Sequence, residues 1–285
     1  MFGKYLENVR KMSPIVHSIT NYVTVNDVAN ALLAIGAKPI MADDARDAAE
    51  ITKICSALNI NIGTLNEMTV KAMFAAGKEA KKLGHPVILD PVGAGAGSFR
   101  TETALGIIRE LSPDAIKGNI SEISTLAGAL GAGADEADAQ AGGKTKGVDA
   151  DMSELINDEN LLRNIRLAKS LAKVTGSVII ITGAIDLIAD ENKCYAVRNG
   201  HPDMADVTGT GCRLSAMTGA YIAANPQEKT EAAAAAVITS GLSGELAAER
   251  LGKRCGNAAF RDAMTDSLYL MDAQTLEKGE KYEIY

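Results

Sequence analysis

The hexapeptide S-V-I-I-I-T at residues 177–182 carries no charge and is built mostly of β-branched side chains, the pattern of a strand buried on both faces. Such strands belong to parallel sheets, which need helices on each side. The chain around it supplies them. Upstream, short apolar runs at 15–19, 39–41, 60–62, 86–90 and 115–117 alternate with helical patterns at 26–35, 45–57, 65–83, 101–111 and 121–128. Thr64-x-x-Glu67 reads as a capping box for the helix at 65–83. Downstream, 186–189 and 193–197 pair as a hairpin around Asp190-Glu191-Asn192. From Gly209 to about residue 276 the pattern is helical, including the alanine-rich run 231–236, which reads as a closely packed helix. Residues 131–152, rich in Gly, Ala and Asp, read as a surface loop. The expected fold is α/β: one domain over residues 1–285, with a mainly parallel central sheet and helices on both faces.

Composition narrows the function. Hydrophobic residues make up 47% of the 285 positions and aromatics 4%, with no Trp, so the core is aliphatic and base stacking is not expected. A net charge of −7 without a basic patch argues against nucleic acid as a partner. It does not exclude ATP, because a pocket can focus positive potential locally. Cys55, Cys194, Cys212 and Cys255 are widely spaced and contain no C-x-x-C pair, which argues against zinc and disulfides and for a reducing cytoplasm. Residues 1–13 read as an amphipathic helix and not as a signal peptide. No apolar run reaches the length of about eighteen residues that a membrane span needs.

In an open parallel sheet, ligands bind beyond the carboxyl ends of the strands, so polar residues there carry the most weight. Asp90 closes one apolar run before P-V-G-A-G and suits Mg²⁺ near phosphates, or else caps the turn. Lys117-Gly118-Asn119 and Ser121-Glu122 follow the next run. Lysine brings charge to a phosphate, and Asn and Glu suit a hydrated metal, although Glu122 is also a favourable acid for a helix first turn. Thr182-Gly183 ends the central strand. His17, Ser18, Thr20 and Asn21 form a polar cluster, but no G-x-S-x-G elbow accompanies it. Gly93, Gly95 and Gly97 match a dinucleotide fingerprint poorly. The sharpest signal is D-V-T-G-T-G-C-R-L-S at 206–215, a glycine turn feeding a helix, which is the layout of an anion hole. Cys212 lies at its mouth, where a helix N-terminus lowers a thiol pKa. Cysteine is also among the most buried residue types.

Taken together, H-S-I-T-N-Y-V-T-V-N-D-V-A-N (17–30), P-I-M-A-D (39–43), L-D-P-V-G-A-G (89–95), I-K-G-N-I-S-E-I (116–123), I-T-G (181–183) and G-T-G-C (209–212) closely resemble the hydroxyethylthiazole kinase family of the ribokinase-like superfamily. The resemblance spans residues 15 to about 250 in order and spacing. It implies a ribokinase-like three-layer domain, a homotrimer with active sites at subunit contacts, ATP with Mg²⁺, and 5-(2-hydroxyethyl)-4-methylthiazole as acceptor. By motif, Met41 and Gly209 contact the thiazole alcohol and Asn21 lies at the same end. Lys117, Thr182 and Asn119 serve ATP, Asp90 and Glu122 serve the metal, and Cys212 takes the catalytic position. Many members carry Arg where this chain has Lys117, which keeps the charge without a bidentate grip. The superfamily usually places Asp where Cys212 stands, so base catalysis here is expected to be weak. A loose phosphoryl-transfer transition state needs little prior deprotonation of the alcohol.

Overall fold

A computed structural model describes residues 1–132, 156–252 and 255–285. Nearly all of the expected loop at 131–152 lies outside the described residues. One nine-stranded sheet runs through the molecule in the order β2-β1-β3-β4-β5-β6-β7-β8-β9. Its strands are β1 (Ile15–Ile19), β2 (Lys38–Ile40), β3 (Ala57–Asn61), β4 (Val87–Asp90), β5 (Ala115–Asn119), β6 (Val178–Thr182), β7 (Asp186–Ala189), β8 (Cys194–Val197) and β9 (Tyr282–Ile284). Strands β1 to β6 pair in parallel, and β7, β8 and β9 continue the sheet antiparallel.

The strand that decides the fold behaves as its composition requires. In β6, Val178 and Ile180 enter one apolar cluster while Ile179 and Ile181 enter the other. The first cluster is covered by α1 (Gly3–Met12), α2 (Val25–Ala34), α8 (Thr210–Ala224) and α9 (Lys229–Leu251). The second is covered by α3 (Ala48–Lys53), α4 (Glu67–Leu83), α5 (Ser98–Leu111), α6 (Ile120–Ala129) and α7 (Leu161–Thr175). The result is three layers, with α10 (Asn257–Leu270) packed outside α9 and α11 (Ala273–Gly279) against α1. The alanine run lies in α9 with Ala232–Ala236 fully buried, so small side chains serve close helix-to-sheet packing.

Some boundaries depart from expectation. The helix expected at 45–57 stops at Lys53. Ser56 N donates to Ile15 O at 2.7 Å, so pairing with β1 draws the chain into β3 three residues earlier than its apolar run suggests. The capping box is Asn66 with Thr69, not Thr64 with Glu67. Thr64 Oγ1 accepts instead from Tyr22 N at 3.2 Å and ties two strand-end loops together. β9 and the short 3-10 helix Pro202–Asp206 have too few residues to stand out in the sequence.

The strand order places the site. From β1 the chain moves outward to β2, then returns across β1 to β3 and continues the other way. A crevice opens at such a reversal beyond the carboxyl ends of the strands. Asn21 follows β1 and Asn61 ends β3, one on each side of it.

Candidate active site

Successive strand ends deliver polar side chains to this crevice. Asn61 closes β3, Asp90 closes β4, Lys117 lies in β5 and Asn119 ends it. Helix α8 covers them. It packs over β1, β3 and β4, with Gly219 in its middle facing Val16, Ala57 and Ile88. Asp90 is fully buried. It accepts from Ser215 Oγ at 2.6 Å, Asn61 Nδ2 at 2.9 Å and Lys117 Nζ at 3.2 Å. A buried carboxylate with this many donors is held in one orientation, with its charge balanced by the lysine.

Glu122 sits in the first turn of α6 and is fixed by a reciprocal box. Its Oε2 accepts from Asn119 N at 2.9 Å, and Asn119 Oδ1 accepts from Glu122 N at 2.9 Å. Its Oε1 accepts from Gly93 N at 2.8 Å, so the glycine loop after β4 serves to seat this carboxylate. The alternative first-turn role for Glu122 is therefore met as well, and by a side chain that is itself buried.

The glycine turn enters α8 at Gly209, whose φ of +84° is left-handed. A Cβ there would lie 2.6 Å from Thr24 Cγ2, so both backbone and packing demand glycine. Gly209 offers α8 no side-chain cap, which leaves first-turn N–H groups directed at the crevice. A Cβ on Gly211 would fall 2.8 Å from Lys117 Nζ, so the ammonium group lies directly against this bare position in the first turn of α8. Cys212 Sγ accepts from Asn21 Nδ2 at 3.1 Å and Asn61 Nδ2 at 3.3 Å.

The electrostatics follow from this packing. Burial would lower the Lys117 pKa, but Asp90 and then Glu122 outweigh it, so the ammonium form is favoured. Burial pushes the Glu122 carboxyl up, with Lys117 opposing. The Cys212 thiol is also raised, by burial first and Asp90 second, against Lys117, Thr24 and Asn21. The direction is opposite to the lowering expected of a helix N-terminus, because desolvation and a neighbouring carboxylate both disfavour the thiolate. Asp186, at the start of β7, is pushed up to about 7 by burial, and its Oδ1 accepts from Gly183 N at 2.8 Å.

The structure brings Asn21, Asp90, Lys117, Asn119, Glu122, Gly209 and Cys212 together. Thr182 stands at the next strand end, with Oγ1 donating to Gly118 O at 3.4 Å. Met41 follows β2 and packs, half-buried, on the same apolar cluster that Cys212 borders. A cleft lined by Thr20, Tyr22, Asp43, Asn61 and Thr64 opens beside Asn61. His17 is structural: its ring is buried between Thr52 Oγ1 at 2.9 Å and Ala42 O at 2.8 Å, and burial lowers its pKa. His201 caps the 3-10 helix. Sequence reasoning missed Asn61 and Ser215. Asn61 could have been found as a polar residue ending an apolar strand, and Ser215 as the residue one turn beyond Gly211. No helix of the described residues is long and apolar enough to cross a membrane.

Comparison with known proteins places these features in a wider set. The model of the hydroxyethylthiazole kinase family matches residues 6–274. A hydroxyethylthiazole kinase from Clostridium acetobutylicum is 53% identical over 285 residues, covering 100% of both chains. The solved hydroxyethylthiazole kinase of Pyrococcus horikoshii superposes with a TM-score of 0.85 at 33% identity, covering 100% of this chain and 98% of the other. A Staphylococcus aureus pyridoxal kinase solved with AMP-PCP and pyridoxal shares the fold, with a TM-score of 0.62 at 13% identity and coverage of 95% and 97%.

Proposed function

The chain belongs to the hydroxyethylthiazole kinase family, and from that premise we propose that it transfers the γ-phosphoryl group of ATP to the hydroxyl of 5-(2-hydroxyethyl)-4-methylthiazole, a thiazole-salvage step of thiamine biosynthesis. One observation carries this reading. The uncapped N-terminus of α8, the buried Lys117 ammonium group and a pair of buried carboxylates converge on one strand-end crevice. Helix N–H groups and an ammonium group bind phosphate, and charge spread over the transferring phosphoryl group is what they stabilise.

Asp90 and Glu122 offer the hard oxygens that magnesium takes. Each Glu122 oxygen accepts one backbone N–H, which leaves a lone pair for a metal-bound water. Among the described residues no group of three or more His, Cys, Asp or Glu forms a metal cage. That fits an ion held chiefly by phosphate and water. When bound, magnesium would offset charge on the phosphate oxygens. Lys117, Asn119 and Thr182 hold the nucleotide end, and Lys117 shares its charge between Asp90 and the phosphate. Met41, Gly209 and Asn21 face the alcohol. Cys212 lies beside its hydroxyl, where the neutral thiol makes general-base assistance weak. Orientation and the fixed N–H groups supply most of the acceleration.

Residues 1–285 act as one kinase domain in the cytoplasm, where free cysteines stay reduced. The assembly is a homotrimer with sites at subunit contacts. Tyr22, Val23 and Val25, 78%, 58% and 38% exposed, support this as an apolar surface beside Asn21. The test is coupled ADP release with MgATP and the thiazole alcohol, beside hydroxymethylpyrimidine and a sugar alcohol. Turnover that requires the thiazole is expected; its absence from folded protein overturns the proposal.

A further inference from the structure

Arg100, in the first turn of α5, joins the two loops on which both carboxylate arms of the crevice depend. Its Nη1 donates to Ile62 O at 2.8 Å, Gly63 O at 2.9 Å and Val92 O at 3.2 Å. The first two carbonyls belong to the loop after β3 and the third to the loop after β4. Nη1 carries two hydrogens, so one of them is shared between two oxygens. Three carbonyl oxygens gathered around one point repel each other unless a positive donor sits among them, and the guanidinium group is that donor. Its stem lies against Gly93, where a Cβ would fall 3.1 Å from Arg100 Cδ and 3.4 Å from Nε. Gly93 also takes a left-handed φ of +77°, so the turn and the arginine fit together only around a glycine.

The amides of these loops reach into the site. Gly63 N donates to Asn61 Oδ1 at 2.9 Å, and Asn61 Nδ2 donates onward to Asp90 Oδ2 at 2.9 Å. Gly93 N donates to Glu122 Oε1 at 2.8 Å. At their roots the loops meet through Ile62 N and Asp90 O, 3.2 Å apart, and Arg100 ties them further out. We infer that Arg100 is a positioning residue that sets the two loops in register, so that Glu122 and the Asn61–Asp90 arm address the metal and the acceptor alcohol together. It acts on them through the Gly93 and Gly63 amides and not by contact. This rests on the reading that Glu122 serves magnesium and that the Asn61 arm borders the alcohol. Thr101, the next residue of α5, holds the far side of the loop after β4, through Gly95 N at 2.9 Å and Gly97 O at 3.0 Å.

The test compares Arg100→Ala with Thr101→Val, a control on the loop after β4 alone. Hydrogen exchange read by mass spectrometry on the enzyme without metal or nucleotide should quicken about tenfold in Arg100→Ala, at both 61–66 and 91–97 and not in α9. With ATP and the thiazole alcohol, the half-saturating concentrations of magnesium and of the alcohol should each rise about fivefold or more. Thr101→Val should quicken exchange at 91–97 alone and leave the KM for the alcohol within about twofold of the parent. Arg100 is half-buried, so a guanidinium ion can enter the space left by truncation. At about 20 mM it should recover about threefold of the loss in both half-saturation values, while sodium ion at the same concentration should not. Exchange that quickens in one loop only overturns the inference. So does loosening of both loops with the two half-saturation values unmoved, which would leave Arg100 a stability residue. If the parent enzyme shows no thiazole-dependent turnover, the functional reading fails instead, and the exchange comparison still decides whether Arg100 couples the loops.

Discussion

Replacing Lys117 with methionine removes the ammonium group paired with Asp90 and leaves two buried carboxylates facing each other's field. Lys117 Nζ lies 3.2 Å from Asp90 Oδ2, and the two side chains are 6% and 0% exposed. At an effective dielectric constant of about 20, attraction at that distance is worth about 5 kcal/mol, offset by several kcal/mol for desolvating the ammonium group. What remains after truncation is an unpaired buried charge, and the cost of breaking such a pair is about 3–5 kcal/mol. That is a large part of the total stability of a domain, about 5–15 kcal/mol. The variant has an escape that the parent lacks: a crevice carboxylate can take up a proton. Its folded-state pKa then lies above the unfolded value, so the deficit is full at high pH and shrinks as pH falls, by up to about 1.4 kcal/mol per unit. Urea denaturation followed by circular dichroism at pH 8 and pH 5.5 measures both quantities. Lys117→Met should be several kcal/mol less stable at pH 8 and distinctly closer to the parent at pH 5.5. Equal midpoints at pH 8, or a deficit that does not change with pH, would refute the ion-pair reasoning.

Other outcomes follow from neighbouring geometry. Gly211→Ala improves helix propensity by about 1 kcal/mol yet sets a methyl group 2.8 Å from Lys117 Nζ; thermal melts should change little while kcat falls and the KM for ATP rises. Gly209→Ala meets both a left-handed backbone and Thr24, so a melt should show a loss of roughly 2 kcal/mol or more. Asp186 is raised to about 7 in the fold by burial. Its ionised form therefore costs stability that grows as pH rises from about 4 to about 7; Asp186→Asn should stabilise at pH 8 by roughly 1–2 kcal/mol, after allowance for partial exposure, and lose that advantage near pH 4. Glu122→Gln gives up one acceptor for the Gly93 and Asn119 amides, and a titration of rate against magnesium should shift to higher concentration.

Much of this was legible in the sequence, and the physical reasons can be given element by element. β6 was plain because burial on both faces forces an uncharged, β-branched run. Asp90 and Lys117 stood out because charge at the end of an apolar strand has few structural uses, but Asp90 read equally well as a turn cap and Glu122 as a favourable acid in a helix first turn. The start of β3 was hidden because Ala57 and Leu58 fit a helix as well as a strand, and only pairing with β1 decides. Asn61 and Ser215 were hidden for a related reason. Neither is charged, and their role lies in hydrogen bonds to residues far along the chain. Cys212 was located by its motif, but the direction of its pKa depends on a desolvation that only packing reveals.

The separations in those contacts have a consequence for how the enzyme comes into being. Asn21 and Cys212 are 191 residues apart, Asn61 and Cys212 151, and Asp90 and Ser215 125. Contacts this remote close late in folding, after the loops between them have lost their freedom. A nascent or half-folded chain therefore has pieces of the site but no site, and cannot engage nucleotide prematurely. Conversely, whatever occupies the crevice binds only the finished molecule and draws the whole folding equilibrium toward it. Nucleotide capture is in that sense a proofreading of the fold: it rewards a chain only when its first strand, its middle and its eighth helix have all found their places.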